Sequence, residues 1–140
     1  MDQVTDFLCF KLGTAVRKIV KYYNNVYLEY GVTVAQSFIL LSLLEEDGQN
    51  IKTLAERLSL DSSAVTGLVD RLEKEKLVRR SVDIEDRRAF QIFLTENGRG
   101  VSEAILPIAR QVNDHLRNGI NSDMQVILED YLDNIDRYLK

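Results

Sequence analysis

The chain has 140 residues, 45% hydrophobic and 29% charged, with 18 Lys and Arg against 22 Asp and Glu for a net charge of −4. That is a globular balance in a length suited to one domain, and no apolar run reaches the ~18 residues that a membrane helix needs. A single cysteine, Cys9, and a single histidine, His115, exclude an internal disulfide framework and a Cys/His zinc cage.

The opening segment carries Asp2 and Asp6 and lacks the basic-then-apolar form of a secretory signal, so a cytoplasmic chain is expected. The acidic total argues against a nucleic-acid binder taken whole. The charge is uneven, however. Residues 1–49 hold 4 basic and 6 acidic side chains, residues 50–95 hold 9 and 8, and residues 96–140 hold 5 and 8. Only the middle third is not acidic.

From Leu8 the apolar residues Leu8, Leu12, Ala15, Ile19, Tyr22 and Val26 recur at steps of 4 and 3, which predicts a helix over about 4–30. Its seam fits either a core helix or a dimerisation helix. Gly31 ends it, and Thr33 with Gln36 forms a capping box for a second helix over about 34–46, apolar on most faces and hence central. Ile51 to Leu60 predicts a short helix. After a tight break, Asp61, Ser62 and Ser63 offer N-caps for another, to about Lys76. This pair reads as a helix-turn-helix.

The period then changes from 3.6 to 2. Leu77 to Val82 and Phe90 to Leu94 alternate as two strands around a charged tip, a hairpin set directly after the second helix of the pair. From Thr95, helical spacing runs to the end, with Pro107 inside it and a last helix from about Ser122.

No phosphate-binding loop, dinucleotide fingerprint or nucleophile–base pair stands out, so neither an enzyme nor a cofactor is expected. What is present suits duplex DNA. On the second helix of the pair, Ser62, Ser63, Thr66 and Arg71 share the outward face, with Gly67 permitting close approach. Asp70, on the same face, suits a cytosine amino group or an internal pair. Arg79, Arg80, Arg87 and Arg88 crowd the hairpin, and a thin basic tip can deliver an arginine into a narrow minor groove. Asp86 can hold such an arginine in one rotamer beforehand. The rival reading is a winged-helix adaptor that contacts proteins without sequence-specific DNA binding.

Asp86-Arg87-Arg88-Ala89-Phe90-Gln91-Ile92-Phe93-Leu94-Thr95 with Gly98 resembles the wing of the MarR (multiple antibiotic resistance regulator) family. Leu54-Ala55, Leu58, Ser63, Val65-Thr66, Leu68-Val69, Leu72-Glu73 and Leu77-Val78-Arg79-Arg80 resemble its winged helix. The resemblance implies a mainly α fold with a small β-hairpin wing. Within one MarR-like domain of 1–140, a winged helix-turn-helix core over 33–100 is flanked by dimerisation helices over 1–32 and 101–140. It implies a homodimer on a pseudo-palindrome of double-stranded DNA, with Arg88 as the minor-groove arginine and Asp86 orienting it. It also implies a repressor released by a phenolic ligand or by thiol oxidation.

Leu8-Cys9-Phe10 resembles the branch that senses organic hydroperoxides through a cysteine in the first helix, with Tyr23 at the position of one thiol-binding tyrosine. Val34 stands where that branch has its second. Cys9 reads either as that thiol or as a small apolar core residue. A pocket for an aromatic acid is the other candidate for the signal, lined by Tyr22, Tyr27 and Phe38, with Tyr23 and Tyr30 nearby and Arg17 or Lys21 as charge partner. Ordinary aromatic core packing is the alternative for these residues.

Overall fold

A computed structural model describes residues 2–82, 84–85 and 89–140. Asp83, Asp86, Arg87 and Arg88 thus lie outside the described residues. The chain divides into two compact units, Met1–Leu106 and Pro107–Lys140.

The first unit opens with helix α1, Leu8–Val26, between single 3-10 turns at Val4–Asp6 and Leu28–Tyr30. The helix is shorter than the periodicity predicts. Phe7 is extended, and the Gln3–Asp6 capping box closes the first turn on itself. At the other end Gly31 takes a left-handed φ of 71°, which stops the chain from continuing. None of the α1 side chains is buried, and Leu8 and Val16 are more than half exposed. Of the seam read from the sequence, Leu12, Ile19 and Val26 are half-buried and Leu8, Ala15 and Tyr22 exposed, so it is only partly covered.

Helix α2, Val34–Glu45, starts on the expected capping box: Gln36 N–H donates to Thr33 Oγ1 at 3.2 Å, and Thr33 N–H donates to Gln36 Oε1 at 3.0 Å. Val34 N–H donates to Asn24 Oδ1 at 2.9 Å, so a side chain of α1 satisfies another orphan donor of α2. Ile39, Leu40 and Leu43 are fully buried.

Gly48 turns with φ 75° into β1, Gln49–Asn50, a strand too short to show a period. It pairs antiparallel with β3, Phe90–Leu94, which also pairs with β2, Val78–Val82; the sheet order is β1-β3-β2. The expected hairpin is thus the outer part of a three-stranded sheet.

Between β1 and β2 lie α3, Ile51–Leu58, capped by Asn50, and α4, Ser62–Lys74. Ser59 in the left-handed region (φ 53°) makes the break between them. Leu54, Val65, Val69, Leu72 and Ile92 are fully buried and join the helix pair and sheet to α2 in one core.

Helix α5, Glu96–Asn118, begins in this unit. Thr95 Oγ1 donates to Lys76 O at 2.6 Å and accepts from Gly98 N–H at 2.9 Å, which seats the helix start on the α4–β2 turn.

The second unit holds the remainder of α5 and α6, Ser122–Asp133, followed by a 3-10 turn at Ile135–Tyr138. Pro107 lies inside α5, where it removes one helical donor. Gln125 Nε2 donates to Arg117 O at 2.6 Å and to Ile120 O at 3.0 Å, and Arg117 pairs with Glu129, so the corner between the helices is tied. The last helix ends earlier than its apolar pattern, because Asn134 Nδ2 donates back to Asp130 O at 2.8 Å and the backbone tightens. No α6 side chain is buried; Met124, Val126 and Ile127 are more than half exposed.

Candidate nucleic-acid interface

Helix α4 divides cleanly. Val65, Val69 and Leu72 face the core, while Ser62, Ser63, Thr66, Gly67, Asp70, Arg71 and Lys74 are exposed. Both faces follow from a 3.6-residue period laid against α2 and α3. Thr66 Oγ1 donates to Ser62 O at 2.8 Å, so its hydroxyl proton is engaged and its oxygen is left as an acceptor. Gly67 has no neighbour within 4 Å of where a Cβ would stand, so this stretch of helix is open to an approaching surface. Arg71 has no ion-pair partner among the described residues.

Strand β2 of the wing packs beside α4. Arg79 and Phe93 are cross-strand partners, and the Arg79 guanidinium sits 4.7 Å from the ring centre. Arg80 points the other way, donating to Asp70 at 2.5 Å and to Glu73 at 2.8 Å. The Asp70 hydrogen bond is the largest cause holding its guanidinium above the ordinary arginine range. Asp70 is thus an internal partner, and the Arg80 bridge joins two elements read separately from the sequence. Its signal was present as two acids three residues apart on α4, facing a strand arginine. Asp86, Arg87 and Arg88, at the expected tip, lie outside the described residues.

Cys9 is exposed on the first turn of α1, so it is not a core cysteine of this unit. Tyr23 is fourteen residues further along the same helix, about 21 Å at 1.5 Å per residue. Within one chain these two side chains cannot meet.

The aromatic residues separate. Tyr27 is buried, with Tyr23 tilted against it at 5.5 Å. Burial raises both hydroxyl pKa values above 10.0, at Tyr27 against the lowering effect of a Ser37 hydrogen bond. Tyr22 and Arg17 are exposed, and Arg17 Nη2 donates to Thr14 Oγ1 at 3.0 Å.

Phe38, half exposed on α2, lines two grooves instead. One, of about 430 Å³, runs beside α4 with Leu60, Ser63 and Arg71; the other, of about 380 Å³, has Leu41, Arg57 and Leu58. Neither includes Arg17, Tyr22 or Tyr27. Among the described residues no cluster of His, Cys, Asp or Glu is placed to hold a metal, and no helix is long and apolar enough to cross a membrane.

The sequence profile of the MarR family matches residues 32–90. The HTH-type transcriptional regulator SarZ of Staphylococcus epidermidis is 33% identical over 123 residues, covering 88% of this chain and 82% of SarZ. Among solved structures, MepR of S. aureus in complex with DNA superposes with a TM-score of 0.87 at 21% identity, covering 94% of this chain and 98% of MepR, a likeness of fold. Reduced AbfR bound to DNA gives a TM-score of 0.75 at 27% identity, covering 95% of this chain and 91% of AbfR; AbfR has also been solved overoxidized on DNA.

Proposed function

We propose, from the premise that this chain belongs to the MarR family of transcriptional regulators, that it is a cytoplasmic, homodimeric repressor of a pseudo-palindromic operator, released by oxidation of Cys9 or by a small aromatic ligand. The observation that carries the DNA reading is the free outer face of α4. Its hydroxyls, Gly67 and Arg71, which has no ion-pair partner among the described residues, stand on one side of a helix whose other side is locked into the core.

In this reading α4 enters the major groove, with Ser62, Ser63 and Thr66 meeting base edges or phosphates and Arg71 a guanine edge or a phosphate. Arg79 and Arg87 add phosphate contacts, and Arg88, oriented by Asp86, enters the minor groove. Affinity arises from this local surface, and the acidic remainder limits non-specific binding.

A second copy would cover the apolar faces that α1 and α6 leave exposed. The exposed Cys9 favours oxidation as the signal, since a sensing thiol must be reached by the oxidant. In a dimer, Tyr23 of one copy can approach Cys9 of the other, which its own chain forbids. The pocket reading, with Arg17, Tyr22, Tyr27 and Phe38, would need these residues to be gathered from separate surfaces.

Fluorescence anisotropy of the reduced protein on labelled duplex from its own upstream region tests both parts. Saturable binding is expected, lost after stoichiometric organic hydroperoxide and retained by Cys9→Ser. Binding that ignores the oxidant contradicts the thiol switch and leaves the ligand. Binding no better than on random duplex, with Arg88→Ala unchanged, contradicts the DNA reading and favours an adaptor.

A further inference from the structure

Strand β2 carries two adjacent arginines with opposite orientations. Arg79 is exposed and lies on Phe93, whereas Arg80 faces inward opposite the fully buried Ile92. From that position the Arg80 guanidinium reaches across to α4, where Nη2 donates to Asp70 Oδ1 at 2.5 Å and Nη1 to Glu73 Oε1 at 2.8 Å. Asp70 and Glu73 are three residues apart, so they share a face of α4, and one rigid guanidinium fork spans both. Its side chain is 22% exposed against 52% and 41% for the two acids, so the cation is the more enclosed member. An isolated surface ion pair contributes little. This one is a three-member network joining the helix and the strand that the DNA reading sends to different grooves.

We propose that Arg80 is a positioning residue for DNA binding: held by Asp70 and Glu73, it sets the wing against α4, so that both reach their grooves as one rigid body. The inference rests on the DNA-binding reading above. A wing free to swing would lose that freedom at each binding event, and fixing it beforehand lowers the cost of association. The bridge also engages two carboxylates that would otherwise repel an approaching phosphate.

The test uses the opposing signs of charge and geometry. Asp70→Asn combined with Glu73→Gln removes two negative charges from the DNA side of each chain. Charge alone then tightens binding to every duplex. Loss of the clamp instead weakens binding to the preferred duplex while binding to random duplex holds or tightens. The probe is a duplex enriched by the wild-type protein from a random pool. The specificity ratio is expected to fall about tenfold or more in this variant, and equally in Arg80→Met.

The triple variant should show no further fall, because the three residues act as a unit. In a Cys9→Ser background, a nitroxide at Ile84→Cys should become more mobile when Arg80→Met is added, with helical circular dichroism unchanged. If the carboxamide variant binds its preferred duplex as well as the wild type, or if the losses add in the triple variant, the clamp is overturned and Arg80 is a direct phosphate contact or a bystander. If the wild type enriches no duplex, the DNA reading itself fails at that step, and the clamp falls with it.

Discussion

Two glycines of this chain do opposite work. At Gly98 a Cβ would overlap the Leu77 carbonyl, where the first turn of α5 packs on the end of the α4–β2 turn. Backbone cannot yield as a flexible side chain does, so Gly98→Ala should lower unfolding stability by about 3 kcal/mol, read by urea titration. An unchanged midpoint would contradict the close packing. At Gly67 there is open space, so Gly67→Ala should raise stability by up to about 1 kcal/mol through helix propensity. The same change should weaken DNA binding if the α4 backbone closes on the groove; equal binding would place that face away from DNA.

Tyr23 and Tyr27 supply a pH prediction. Burial holds both hydroxyls protonated above 10.0 in the folded chain, while the unfolded chain releases those protons near 10.0. The stability is fully present below that value and is lost as the pH rises through the folded values. The urea midpoint should therefore fall from about pH 9 to about pH 11, with a shallower fall in Tyr27→Phe. A midpoint flat across that window would contradict the burial of these hydroxyls.

At the scale of elements, periodicity and caps carried most of the reading. The capping box at Thr33 and Gln36, the inward stripe Val65, Val69 and Leu72, and the alternation that buries Ile92 and Leu94 each follow from local chemistry, and the structure places them accordingly; Phe90, in the same alternation, is exposed. What the sequence hid was non-local. The strand Gln49–Asn50 exists only because β3 presents an edge to it, and two residues show no period. The ends of α1 were set by Phe7 and by the turn before Gly31, both invisible to an apolar count. Arg80 looked like another basic residue of the wing until its carboxylate partners on α4 came within reach. Phe38 looked like part of an aromatic cluster with Tyr27, but one is half exposed on α2 and the other is buried. A one-dimensional pattern assigns faces to helices; it does not say which faces meet.

For the molecule as a whole, the apolar surface left over is informative. Met124, Ile127 and Leu128 line an apolar groove of about 390 Å³ with Ile120 and Tyr131, and α1 has no buried side chain. A monomer with such faces would tend to aggregate, and the proposed dimer would cover them. If the proposed dimer forms through this groove, Ile127→Glu should convert it to a monomer by sedimentation velocity with little loss of helical circular dichroism, and it should reduce operator affinity because the two half-sites are no longer linked. A variant that remains dimeric would move the interface elsewhere.

The central claim is that two winged helices read one operator, each through α4 and its wing. Hydroxyl-radical footprinting of the reduced protein on its enriched duplex tests it most directly. The account predicts two protected half-sites about one helical turn apart, each flanked by a protected minor groove. A single protected patch, or uniform protection without sequence dependence, would contradict it.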